Sequence, residues 1–150
     1  MPDDAVPLLL DAMLGKLSTY LRMCGYDAAY ALDRDVEEDD AVLALAGEEG
    51  RTLLTRDAAL AAHASDALLL ESKDVADQLR ELRAAGWALS LDDPSRCSAC
   101  NGELARVEAD GTPEHAPDAD ERRVWRCRNC GQHFWKGSHW ESVEETLSEL

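Results

Sequence analysis

The chain has 150 residues, 31 acidic against 15 basic, and a formal net charge of −16. That length suits one domain of about 100 residues plus a small appendage. No apolar run approaches the roughly 18 residues of a membrane span and no charged-then-apolar leader opens the chain, so it reads as neither secreted nor membrane-spanning and is expected to be cytoplasmic.

Lys is scarce, limited to Lys16, Lys73 and Lys136, while Asp, Glu and Ala abound, a halophilic composition in which salt screens self-repulsion. With so many acids, a lone Asp carries little information. Charge is also unevenly placed. Residues 1–94 hold 8 basic and 20 acidic side chains, and residues 95–140 hold seven of each. Residues 122–140 contain five basic groups and no acid, which is either chance or a surface for a polyanion.

In chain order, Leu8–Leu10 is a short continuous apolar run, the pattern of a buried parallel strand, and it stops at Asp11. Open α/β sheets bind ligands at such strand ends. Met13, Leu14, Leu17, Tyr20, Leu21 and Cys24 then recur at spacings of three and four, which lines one helix face and leaves Lys16, Thr19 and Arg22 elsewhere. Gly25 is a plausible C-cap. Tyr26–Tyr30 reads as a second strand, followed by a polar connection with Asp33 and Asp35. Acids crowd residues 37–40 ahead of a helix marked by Val42, Leu43, Leu45 and Ala46 and closed by Gly50. Asp39 and Asp40 there suit an N-cap and charged first turn.

Thr52–Thr55 is the next strand, and it runs into Arg56 and Asp57 much as the first ran into Asp11. Residues 58–64 form an Ala-rich helix, 67–70 a further buried strand, and 74–85 an amphipathic helix ended by Gly86. Strands alternating with helices of about ten residues predict an α/β fold with a mostly parallel sheet flanked by helices. Composition shifts near Pro94, so residues 1–94 form one unit, 95–140 a second, and 141–150 a short helix or tail. Residues 108–121 are polar, acidic and proline-bearing, an exposed loop.

The second unit carries two C-x-x-C pairs, Cys97 with Cys100 and Cys127 with Cys130. Two such turns aim four sulfurs at one tetrahedral Zn²⁺, a closed site that holds the fold and does no chemistry. A redox role is the alternative, but redox pairs follow a βαβ strand and these sit in a hairpin-like segment. Strands at 104–107 and 124–126 complete a β zinc ribbon. Cys24 is most simply a core residue. After the second pair, His133 to Trp140 interleaves aromatics with Lys136, which suits stacking on unpaired bases and phosphate contact, or else packs the small ribbon and its junction. His139 is either a catalytic acid or base or a structural histidine. Asp11, Asp57 and one of Asp39 and Asp40 would converge if all three lie at one sheet edge. A bound Mg²⁺ or Mn²⁺ would then relieve their repulsion and could activate water.

The runs DAMLGKLSTYLRMCGYD at Asp11–Asp27, GRTLLTRD at Gly50–Asp57, CSACNGEL at Cys97–Leu104 and WRCRNCGQHFWKGSHW at Trp125–Trp140, in this order, resemble the Mut7-C family of PIN-like RNases with a C-terminal zinc ribbon. The resemblance covers nearly the whole chain. It implies a PIN-like α/β fold, a divalent-metal-dependent ribonuclease activity on RNA, and metal-binding roles for Asp11 and Asp57. It places the middle acid just ahead of the helix, at Asp39, with Asp40 next. Asp33, Asp35 and Asp74 stand as extra ligands or as solvated and capping residues. Lys16 and Arg56 flank the two best carboxylates and either hold phosphate or stabilise the transition state, or are solvated surface, and Arg126, Trp135, Lys136 and His139 would contact RNA from a ribbon beside the acidic site. The rivals are a non-catalytic RNA- or protein-binding module and a PIN-type toxin, which would ordinarily need an antitoxin partner.

Overall fold

The structure is a computed structural model that describes residues 7–91, 93–107 and 123–150. The acidic loop expected at 108–121 lies outside the described residues, as does Asp92.

The three leucines of β1, Leu8–Leu10, are all fully buried, because the strand is central and covered on both faces. It pairs in parallel with β2, Ala28–Tyr30, on one side and with β3, Thr52–Thr55, on the other. Beyond β3 lies β4, Ala67–Leu69, giving the order β2-β1-β3-β4. Register sets Leu8 beside Ala28 and Thr52, so the strands start together at one edge and finish together at the other. The helices are α1 (Gly15–Met23), α2 (Asp39–Glu49), α3 (Ala58–His63), α4 (Val75–Ala84) and α5 (Ser138–Ser148).

Strand alternation divides the core in two. Leu8, Leu10 and Leu54 meet Leu17 and Leu21 of α1, Leu79 and Leu82 of α4, and Trp140, Val143 and Leu147 of α5. Leu9 and Leu53 meet Val42 and Ala46 of α2 and Leu60 of α3. The α/β expectation with a parallel sheet flanked by helices therefore holds. Burying each large side chain is worth roughly 1.5–3 kcal/mol, so Trp140, Val143 and Leu147 suffice to seat the last helix on the main body. That helix begins at Ser138, three residues before the tail expected from Glu141, because the buried positions follow the helical spacing back to Trp140.

Two further expectations are corrected. The first turn after Asp11 is a 3-10 turn, Ala12–Leu14, in which each residue rotates further about the axis than in an α-helix, and this swings Met13 out of the apolar stripe to 58% exposure. Arg22, placed on the polar face, is only 3% exposed. Its Nε donates to the carbonyl of Ala28 at 2.8 Å, Nη1 to that of Ser98 at 3.1 Å, and Nη2 to Asp33 Oδ2 at 3.3 Å. A buried guanidinium is tolerated when its donors are filled in this way.

The C-terminal strands β5 (Leu104–Arg106), β6 (Trp125–Cys127) and β7 (His133–Phe134) form a separate antiparallel sheet in that order. This sheet is joined to the main one by Asn101, whose left-handed backbone (φ +70°) presents both ends of its amide to β2. Oδ1 accepts from the amide of Ala28 at 2.9 Å and Nδ2 donates to Asp27 Oδ1 at 2.7 Å. Together Asn101 and Arg22 fill the outward-facing N–H and C=O of Ala28, so the edge strand β2 offers no open pairing there.

Candidate active site and metal centre

Asp11 leaves β1 at its C-terminal end and is 8% exposed. Its two oxygens are fixed: Oδ1 accepts from the amide of Ala12 at 2.8 Å, and Oδ2 from the hydroxyl of Thr55 at 2.7 Å. Thr55 is fully buried at the matching end of β3, and its oxygen in turn accepts from the amide of Asp57 at 3.0 Å. One hydroxyl thus links the Asp11 carboxylate to the backbone of Asp57, the two residues that the strand-end pattern singled out. Asp57 caps α3, with Oδ1 accepting from the amides of Ala59 at 3.0 Å and Leu60 at 3.2 Å, and Oδ2 stays outside the cap.

Asp39 and Asp40 occupy the exposed first turn of α2, with Glu38 as the N-cap residue. Because α2 joins the end of β2 to the start of a parallel β3, its head lies at the same edge as Asp11, and acids there interact favourably with the helix dipole. Asp11, Asp39 and Asp57 share that edge without forming, among the described residues, a group of donor atoms all within 4.8 Å. The phenol of Tyr30 lies in the same neighbourhood, donating to the carbonyl of Ala12 at 2.5 Å. Burial, then the charges of Asp33 and Asp11, push its pKa up. Asp33 is engaged by Arg22, Asp35 sits in a left-handed turn (φ +56°), and Asp74 caps α4.

Lys16 is exposed in the first turn of α1. Arg56 lies between Thr55 and Asp57, and its buried Nε has no hydrogen-bond partner among the described residues. A donor stripped of water in this way is costly unless an anionic oxygen arrives.

The thiols of Cys97, Cys100, Cys127 and Cys130 all lie within 4.8 Å of one another, with Sγ separations of 3.7 Å between Cys97 and Cys130 and 3.5 Å between Cys100 and Cys127. Tetrahedral zinc with bonds of about 2.3 Å needs sulfurs about 3.8 Å apart, so the residues fit the ion. Each knuckle turns on a left-handed residue after its second cysteine, Asn101 (φ +70°) and Gly131 (φ +81°). Gly102 is required for another reason: a Cβ there would come within 2.7 Å of the Cys127 sulfur. The amides of Asn129 and Cys130 point at that sulfur from 3.3 and 3.4 Å. Burial pushes Cys97 up to about 12, whereas Cys100 falls to about 6, since donors led by Asn129 outweigh its own burial. Four thiols this close ionise together only beside a cation.

Of the ribbon residues expected at RNA, Arg126 is exposed on the outer face of β6. Lys136 is already engaged, 3.0 Å from Asp93 and 5.5 Å over the ring of Trp140. Trp135 is half-buried with its indole over Gly137, and His139 is exposed in the first turn of α5. The ribbon touches the acidic edge through Arg22, which donates to both the Ser98 carbonyl and Asp33. It is anchored through Asn101 at the start of β2, because the left-handed turn after Cys100 aims that amide at the outward-facing N–H of the edge strand.

Sequence reasoning missed Thr55, Arg22, Tyr30 and Asn101. Thr55 alone left a signal, a polar residue closing an apolar strand two positions before Asp57. Comparison with curated proteins and with solved structures gave no match. Residues 7–147 match the Mut7-C RNAse domain, so the chain belongs to the Mut7-C RNAse domain family, which points to a ribonuclease-like function.

Proposed function

We propose that the chain hydrolyses phosphodiester bonds of RNA with a divalent cation, Mg²⁺ or Mn²⁺, held by Asp11, Asp57 and an acid at the head of α2, Asp39 ahead of Asp40. The observation that carries this reading is the pair Asp11 and Asp57, coupled through Thr55 at the ends of adjacent parallel strands in a member of an RNase family. The surrounding edge supports it. Exposed Asp33, Asp35, Glu37, Glu38, Asp39 and Asp40 would repel a phosphodiester, and a hard cation with oxygen ligands relieves that repulsion. When bound, the cation supplies an activated water and neutralises charge that develops at phosphorus.

The chain's own residues do the rest. Ala12 and Thr55 hold Asp11 in one orientation, so its carboxylate need not be ordered during the reaction. Arg56 brings a half-buried guanidinium to a phosphate oxygen beside Asp57, and Lys16 adds a mobile positive charge. The cysteine quartet would hold zinc as structural support.

The test is cleavage of mixed RNAs in Mn²⁺, Mg²⁺ or EDTA at high salt, comparing wild type with Asp11→Asn and Asp57→Asn. Asn keeps the cap on α3 while removing the charge. Cleavage should vanish in EDTA and in both variants while RNA binding survives, and equal activity in EDTA would contradict the mechanism. That the three carboxylates form no group of donor atoms all within 4.8 Å among the described residues favours one other reading, a non-catalytic binding module, in which Asp11→Asn alters nothing.

A further inference from the structure

We propose that the cavity between the ribbon and the far end of α1 is a pocket for one unpaired base of RNA. This rests on the ribonuclease reading for its choice of ligand, and it names a site separate from the carboxylates. The cavity measures about 380 Å³, within the roughly 300–1,000 Å³ of small-ligand sites. Its walls are apolar and largely aromatic, with Met23 from the last turn of α1, Phe134 and Trp135 from the ribbon, and Trp140 from α5. Arg96 and Gln132 supply polar groups. Among the described residues no carboxylate lines it, in a chain with 31 acidic residues, so this concavity favours a ligand that carries phosphate.

The indole of Trp135 is held in place by backbone. A Cβ on Gly137 would fall 2.7 Å from Trp135 Nε1, so the ring keeps its position only over glycine. A half-buried aromatic ring in a hollow that also holds an arginine is the arrangement on which single-stranded bases stack. Gln132 is exposed at the rim, where its amide can read a base edge. Arg96 spends one Nη1 proton on the carbonyl of Asn101 at 3.1 Å and keeps further donors for a phosphate. Duplex RNA hides its bases in the stack, so the pocket selects single strands.

The test uses the zinc-loaded full chain and a fluorescent oligoadenylate of about ten nucleotides, with a duplex of the same length as control. Trp135→Ala and Gly137→Ala should each weaken binding of the single strand roughly tenfold, the loss of one stacked base, and leave duplex binding unchanged. Wild-type affinity in a folded, zinc-replete Trp135→Ala protein would overturn the proposal. Photocrosslinking of an iodouracil-substituted strand to the unmodified protein needs no variant to fold. Crosslinks at Met23 or within residues 94–98 or 132–140 are expected, and crosslinks confined to other segments would overturn the pocket. Asp11→Asn separates the two readings. If wild type cleaves nothing while Trp135→Ala still loses single-strand binding, the ribonuclease reading fails and the pocket stands.

Discussion

Thr55→Val tests the link between the Asp11 carboxylate and the backbone of Asp57. Valine has the shape of threonine, so no cavity opens in this fully buried position and only the hydroxyl is lost. That hydroxyl donates to the Asp11 carboxylate at 2.7 Å, a bond to a charged group worth about 1.5–3 kcal/mol. It also accepts from the Asp57 amide at 3.0 Å, and stranding that N–H costs about 1–3 kcal/mol more. Asp57 is partly exposed and water can repair some of the second loss, so about 3 kcal/mol is the expected sum. At this chain length each kcal/mol lowers the Tm by about 2–4 °C, hence a fall of roughly 6–12 °C in zinc-saturated protein. Cleavage should drop about 10–100-fold, as when the support of a metal ligand is removed, with little change in KM. Thr55→Ser, which keeps the hydroxyl, should recover activity. A Thr55→Val protein that melts like wild type would refute the assigned hydrogen bonds, and one that cleaves like wild type would refute the coupling of Asp11 to the reaction.

Three further outcomes follow from the junction, the knuckles and the surface. Asn101→Ala removes both amide bonds to β2 and leaves a left-handed backbone without its asparagine, so a loss of about 2–3 kcal/mol is expected by urea denaturation, together with faster hydrogen exchange at Ala28. Cys127→Ser should lower zinc content measured by emission spectroscopy and release the ribbon, since three short strands bury too little to persist alone. Glu49 is held down to about 2 from 4.5 by Arg34 and Arg51, at 2.7 and 2.6 Å. A depressed carboxylate stabilises the fold above its unfolded pKa, so this contribution is present above pH 4.5 and disappears as the pH falls toward 2. The pairs lie near the surface and are screened, so about 1 kcal/mol or less is at stake, and Glu49→Gln should flatten that limb of the stability curve.

The elements with strong apolar signals were legible. TLLT at Thr52–Thr55 is bounded by Gly50 and Asp57 and is a strand as expected, and the Asp74 to Gly86 stretch carries its helix with cap and stop in place. Asp11 and Asp57 could be read because apolar runs end on them. What escaped is polar and tertiary. Arg22 looks like a surface residue in helical register, and only a carbonyl on β2 and another in the first knuckle make its burial affordable. Asn101 reads as a turn residue, yet its partners lie 73 and 74 positions away. Strand β7, two residues long, has no alternation to detect. The position of the ribbon followed from such contacts, which no local pattern encodes.

The arginines that the ribbon leaves outside ion pairs predict how RNA affinity responds to salt. Around the strand ends acids dominate, and several cations are already committed: Arg34 and Arg51 to Glu49, Arg22 to Asp33, and Arg123 and Lys136 to Asp93. Arg96, Arg106, Arg126 and Arg128 remain on the ribbon side, outside the ion pairs of the described residues. Four phosphate contacts on a single strand give a slope of about −3 for log affinity against log salt. Stacking in the cavity adds affinity without counterion release, so binding should persist where a polycationic surface has lost it. Fluorescence anisotropy from low to molar salt measures the slope directly. A value steeper than about −4 would mean more phosphates neutralised than these arginines can supply, and would refute a mode in which one stacked base carries much of the binding.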